Sequence, residues 1–408
     1  MFSCRNNSLW EEGSEHMEKG KTFRERMLAI ARIGRQEDGG ISRVFGSDYY
    51  KEAAGKILRE MQELGMRAYI DPVGNVHGIQ ECGKKNAKEI LIASHLDTVK
   101  EGGVYDGLLG LMAGIECVRR LQEENRELPY DLHVIATNGE EGNELGGTFG
   151  SRCLMGMAPT EDAAYLELAG KYGFTREDLI NSIYDTSRCK AYLELHIEQG
   201  KTLDEENIQI GAVTGIVGLQ RYKIKIHGIS NHAGTTMMEY RQDALVELAQ
   251  LIADTDRWTR EIGNRLVCTF SRIQVSPNVF AVINNEAEVI LECRNQNVDT
   301  MAELIQKVQQ RIGELPDASM EQIVRKEPVT CAPDIVDAVE ASAGELGCTC
   351  IRMPSGATHD GNCFATKMPI GMIFVPSVGG LSHCKEEYTP WEDVDRGVEV
   401  LYQTLLKI

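Results

Sequence analysis

Four clusters of side chains able to ligate a metal or move a proton punctuate the chain. The first, Ser94-His95-Leu96-Asp97-Thr98, closes the apolar run Ile90–Ala93. Two-residue spacing on an extended chain puts His95 and Asp97 on one face. One ring nitrogen of His95 can then bind a metal while Asp97 holds the other. The second cluster, Tyr105-Asp106-Gly107, lies in a stretch with glycines at 102, 103, 107 and 110, which allow tight turns. The third, Asn138-Gly139-Glu140-Glu141-Gly142, closes the run Leu132–Thr137. Adjacent acids in a turn can divide their work, one ligating and one carrying protons. The fourth is Tyr192-Leu-Glu-Leu-His-Ile-Glu-Gln-Gly200. Its alternation sets Leu193, Leu195 and Ile197 on one face and Glu194, His196 and Glu198 on the other.

Taken singly, each cluster has an ordinary explanation: a hydrogen-bonded loop histidine, a turn aspartate, a solvated pair of acids. Taken together, His95, Asp106, Glu141 and His196 supply nitrogen and oxygen donors and no thiolate. That set suits zinc or manganese in a hydrolytic site with open positions.

The elements that must position these groups are α/β in texture. A helix over 49–64, a strand from Arg67, a buried strand over 89–94, a helix over 108–121 and a strand over 132–137 follow one another. A different texture starts near Val213. Tyr222, Ile224 and Ile226 alternate with Lys223, Lys225 and His227, as in a strand with one wet face. Helices over 242–260 and 301–315 and further strands near 266–275, 288–294 and 322–325 complete a β-α-β-β-α-β order. We expect a ferredoxin-like α+β domain over 213–328, inserted into an α/β domain made of 1–212 and 329–408.

The 408 residues allow two or three domains at roughly 100–200 residues each. Forty-three basic against 62 acidic residues leave a net charge of −19. That balance argues against nucleic acid or anionic lipid as a partner. No run of 18 apolar residues is present to span a membrane. The 12 cysteines are scattered, as in a reducing cytoplasm. The polar N-terminus does not read as a signal peptide, and roughly its first 20 residues are expected to be loosely held.

The order of the clusters carries a resemblance. The run 93–107 resembles the first metal motif of the M20 metallopeptidase-like amidohydrolases. Residues 193–200 look like the signature of one branch: N-carbamoyl-L-amino acid hydrolases, β-ureidopropionases and allantoate amidohydrolases. Ser230-Asn-His-Ala-Gly-Thr-Thr236, Pro354-Ser-Gly-Ala-Thr-His-Asp360 and the run from Phe374 to His383 are similar to that branch as well.

The resemblance implies a central sheet with flanking helices, as in zinc peptidases, plus an inserted lid and dimerisation domain, in a cytoplasmic homodimer. It implies two divalent ions, Zn2+ or Mn2+ with Co2+ or Ni2+ as further candidates, bridged by Asp106. His95 and Glu141 would complete one metal site, with His196 and His383 as terminal ligands, one per metal. Glu140 resembles the general base, and Asp97 supports His95. His232 resembles an oxyanion-stabilising histidine of the lid, reaching in from the partner subunit. Arg294 would clamp a substrate carboxylate, and Gln199 would lie near the substrate. The implied reaction is hydrolysis of a non-peptide C–N bond in a small anionic ureido or N-carbamoyl acid.

The chain departs from the branch pattern at Asn143-Glu144-Leu145, Met237, Ala281 and Thr358. All are implied to sit around the substrate, so metal hydrolysis is more firmly indicated than any one substrate. A dipeptidase or aminoacylase is the competing reading, and a non-catalytic ligand-binding relative is a third.

Overall fold

The computed structural model describes residues 21–408. The expectation for the loosely held N-terminus lies outside those residues. The chain divides into two compact units, one of residues up to Gly215 together with Thr330–Ile408, the other Ile216–Val329.

The larger unit is built on β1 (Arg67–Ile70), β2 (Val76–Gln80), β3 (Glu89–His95), β4 (Asp131–Thr137), β5 (Cys189–Ile197) and β6 (Ile210–Ile216). The smaller unit contributes β7 (Gly218–His227), β8 (Val267–Ser276), β9 (Glu286–Asn295) and β10 (Ala318–Lys326). The chain then adds β11 (Val329–Thr330), β12 (Cys350–Ser355) and β13 (Ile370–Val375).

Among the described residues one mixed sheet runs β1-β2-β4-β3-β5-β13-β6-β11, with β12 paired to β6. Its centre, β4-β3-β5-β13, is parallel. The pairs β1–β2, β2–β4 and β13–β6 are antiparallel. Every residue of β3, β4 and β13 is buried, as strands covered on both faces require. Register sets His95 opposite Thr137 and Phe374 opposite His196. The carboxyl ends of the central strands therefore lie side by side, where open α/β sheets bind their ligands.

Helix Leu108–Glu123 packs across this sheet. Gly107, at φ +67°, turns the chain into the helix; a Cβ there would collide with the His95 ring and carbonyl. Gly110 lets the helix approach β5, because a Cβ would collide with the Leu195 carbonyl. Helix Asp48–Glu63 is capped by Ser47, whose hydroxyl accepts from the Tyr50 N–H at 3.1 Å.

The smaller unit is an antiparallel four-stranded sheet in the order β10-β7-β9-β8. Helices Ala244–Ile262 and Val298–Gly313 complete the β-α-β-β-α-β order. Tyr222, Ile224 and Ile226 pack under Leu248, Leu251, Leu304 and Val308, while the alternating Lys223 and Lys225 are half-buried and His227 is exposed. Each fully buried aliphatic side chain contributes about 1.5–3 kcal/mol to this core.

Candidate metal centre

His95 and His196 end β3 and β5. His95 Nδ1 donates to the Asp97 main-chain carbonyl and His196 Nδ1 to that of Ile197, each at 2.9 Å. These carbonyls only accept, so each imidazole carries its proton on Nδ1 and aims Nε2 the other way. Both Nε2 atoms face one oxygen: Asp106 Oδ1 stands 3.4 Å from His95 and 3.1 Å from His196. Asp106 Oδ2 faces a different pair of side chains. His383 Nε2 is 3.2 Å from it and 3.3 Å from Glu141 Oε1.

Two donor sets thus share Asp106: His95, His196 and Oδ1; Glu141, His383 and Oδ2. The five expected ligands come together around Asp106, and His95 also lies close to Glu140 and Glu141, with ligand atoms within 4.8 Å of one another. Oxygen and imidazole ligands without thiolate fit zinc or manganese. The orphaned atoms agree. Asp106 Oδ1 and His196 Nε2 are buried without a hydrogen-bond partner. Two lone pairs at that separation repel unless a proton or a cation lies between them.

The local electrostatics point the same way. Burial, with Asp106 beside it, pushes the Glu141 carboxyl up to about 7. Burial also lifts Glu140 well above the usual carboxylate range, with Asp360 and Glu141 adding to it. Asp106 shifts the other way: against its burial, the imidazoles of His196, His383 and His95 hold it well below the usual carboxylate range. For His95, burial disfavours the proton, but the hydrogen bond and charge of Asp106 outweigh it and hold the ring well above its ordinary range.

Asp97 corrects the expectation made for it. Its carboxylate does not hold His95; its main-chain carbonyl does. The Asp97 carboxylate instead receives three backbone N–H groups of the 138–142 turn. Oδ1 accepts from Gly139 at 2.9 Å and Glu140 at 3.1 Å, and Oδ2 accepts from Glu141 at 3.1 Å. Asp97 therefore shapes the loop that carries the candidate base and a candidate ligand.

Glu194 and Glu198, expected to share a face with His196, do other work. Glu194 accepts from Ser94 Oγ at 2.9 Å and Tyr192 Oη at 2.7 Å. Glu198 accepts the N–H groups of Thr202 and Leu203 at 2.9 and 2.8 Å. Gln199 Nε2 donates to Asp106 Oδ2 at 3.0 Å and lies 3.3 Å from His383 Nε2. Gln199 and His383 both adopt φ near +57°, at 56° and 57°, a cost that non-glycine residues accept chiefly at functional sites.

Several contributors went unread in the sequence. The His359 ring packs edge-on against His196 with centroids 4.6 Å apart, and its Nε2 meets Ser355 Oγ at 2.8 Å. Asp360, fully buried, accepts from the Thr137 hydroxyl. Glu387, 1% exposed, accepts the backbone N–H of Asp106. The motif match had covered His359 and Asp360 without giving them a task, and nothing in the spacing singled out Glu387.

The smaller unit holds His232 and Arg294. His232 Nδ1 accepts the N–H groups of Gly234 at 3.1 Å and Thr235 at 3.2 Å. The neutral ring therefore carries its proton on Nε2, at an exposed position. Arg294 Nε donates to Glu292 Oε1 at 2.7 Å.

Residues 91–407 match the family model described as peptidase family M20/M25/M40. The chain belongs to this family. An N-carbamoyl-L-amino acid amidohydrolase of Geobacillus stearothermophilus is 33% identical over 406 residues, covering 96% of this chain and 99% of that one. An allantoate amidohydrolase of Bacillus subtilis is 32% identical over 394 residues, covering 93% and 95%. The crystal structure of a hydantoinase/carbamoylase family amidase from Burkholderia multivorans has a TM-score of 0.84 at 28% identity, covering 94% of this chain and 96% of that one.

Within this M20 member, the positions that depart from the branch pattern have distinct settings. Asn143 braces the 138–142 loop, donating to the carbonyls of Gly139 at 3.0 Å and Glu141 at 2.9 Å. Glu144 and Met237 are exposed. Ala281 sits at φ +63°, where asparagine is better tolerated than alanine. Thr358 immediately precedes His359.

Proposed function

We propose that the chain is a two-metal amidohydrolase that breaks a non-peptide C–N bond of a small ureido or N-carbamoyl acid, of the allantoate or N-carbamoyl-L-amino acid type. The observation that carries this reading is the sharing of Asp106 between two donor sets, close to Glu140, the neighbour of Glu141 in the 138–142 turn. The names of the two relatives support the substrate class.

Asp106 would bridge two divalent ions, His95 and His196 holding one and Glu141 and His383 the other. Such ions polarise the scissile carbonyl and lower the pKa of water. Glu140 takes the proton of the attacking water and returns it to the leaving nitrogen. Asp97 fixes the turn so that the neighbouring side chains keep separate tasks. His232 offers its Nε2–H to the oxygen that gains negative charge. Arg294 leaves Glu292 to pair with the substrate carboxylate, and Gln199 donates an amide hydrogen bond. The smaller unit serves as lid and dimer contact, with His232 acting in the partner subunit.

The test is ammonia release from a panel of ureido acids, N-carbamoyl amino acids and dipeptides, after chelation and reloading with Mn2+ or Zn2+. Ammonia from a ureido or carbamoyl acid is expected. Cleavage of dipeptides with none of those acids turned over overturns the reading.

A further inference from the structure

We infer that Glu387 is a positioning residue that builds the outer of the two metal sites by tying the loop of His383 to the backbone of Asp106. This rests on the two-metal reading above.

The two donor sets are not supported alike. His95 and His196 stand at the ends of adjacent sheet strands, and their rings are pinned through Nδ1 to main-chain carbonyls. His383 has neither support. It follows β13 in a loop, at φ +57°, and its side chain is 50% exposed. Something else must bring that loop to Asp106.

Glu387 makes that connection. Its Oε1 accepts the N–H of Tyr105 at 2.8 Å and of Asp106 at 3.1 Å. Its Oε2 lies 2.9 Å from Ser382 Oγ, the residue before His383. Ser382 Oγ is in turn 3.3 Å from Asp106 Oδ2, the oxygen facing His383 and Glu141. One buried carboxylate thus spans two segments almost 300 residues apart in sequence (separation 282 to Tyr105). Gly103 is shaped to it: a Cβ there would collide with the Glu387 carboxylate. Glu387 itself is no ligand. It sets where Asp106 Oδ2 and the His383 loop lie relative to each other, and leaves the strand-end pair to hold the inner ion. Groups that orient ligands in this way typically change metal affinity about 10- to 100-fold.

The experiment counts tightly bound Zn2+ or Mn2+ per chain, by titration of the chelated full-length protein, with circular dichroism as the check on folding. Wild type binds two ions. Glu387→Ala is expected to keep the first with unchanged affinity and weaken the second by about 10-fold or more. Glu387→Gln keeps an oxygen for the two amides and a polar contact to Ser382, and is expected to restore the second ion. Ser382→Ala, a milder cut of the same link, weakens the second ion alone even if Glu387→Ala does not fold. Equal weakening of both ions, or no change in the folded variants, overturns the inference. The count does not involve turnover. Failure of the amidohydrolase reading would show instead as wild type that binds two ions yet releases no ammonia from ureido acids.

Discussion

Asp97 and Glu140 are joined through the main chain: the Asp97 carboxylate accepts the Glu140 N–H at 3.1 Å and the N–H groups on either side of it. The side chain of Glu140 is thereby positioned without being used as a tether. An amide in place of Asp97 has only one accepting oxygen and sets an N–H donor against a backbone N–H. Asp97→Asn is therefore expected to lower kcat by about 10- to 100-fold with little change in KM. Steady-state kinetics on the best ureido substrate checks this; a change confined to KM would contradict it.

Glu140→Gln tests the base itself. It keeps size and hydrogen-bonding capacity but cannot take a proton. Loss of kcat by about 10²- to 10⁴-fold is expected, with two ions still bound. Wild-type turnover in this variant would remove Glu140 from the reaction.

His232 fixes its own tautomer through Gly234 and Thr235. Removing the Nε2–H donor in His232→Ala is expected to lower kcat by about 10²- to 10³-fold. Mixing this variant with Glu140→Gln tests action across subunits. A mixed dimer would combine one intact His232 with one intact Glu140 in the same site, so partial recovery of activity is expected. No recovery contradicts action in the partner subunit.

Away from the site, His133 makes stability depend on pH. Burial pulls its ring down to about 4, against the opposing charge of the Glu89 carboxylate, 3.7 Å from Nδ1. The folded state thus resists a proton that the unfolded chain accepts below about pH 6.5. The neutral ring's contribution is full above that pH and is lost as pH falls towards about 4, to a total of about 3 kcal/mol. Thermal unfolding across this window should fall more steeply for wild type than for His133→Asn. Parallel curves would contradict the assignment.

What was legible in the sequence followed the regular elements. The insert was readable because β7 alternates from Gln220 onward and helix Val298–Gly313 carries Met301, Leu304, Val308 and Ile312 as one stripe, all buried. His95, Glu141 and His196 stood out as donors at or just beyond strand ends, and Asp106 in the glycine-rich turn before helix Leu108–Glu123. His383 came only from the motif resemblance, since a left-handed loop residue has no periodicity to betray it. The short helices Phe149–Leu154, Ala163–Lys171 and Arg176–Asn181 left too little pattern to read. Period-two alternation tells which face a side chain takes, not what it meets there. That is why Asp97 was assigned to His95 when its carboxylate turns to the 138–142 loop. Glu387 was beyond reach for a similar reason, its partners being fixed only by the folded sheet.

The central claim is that two ions held across Asp106 drive cleavage of a ureido or N-carbamoyl acid. It is tested most directly by following ammonia release from such an acid while Zn2+ or Mn2+ is returned stepwise to the chelated protein. Activity should be absent at the start and level off at two equivalents per chain. Turnover by the metal-free protein, or a plateau reached at one equivalent, would contradict the account.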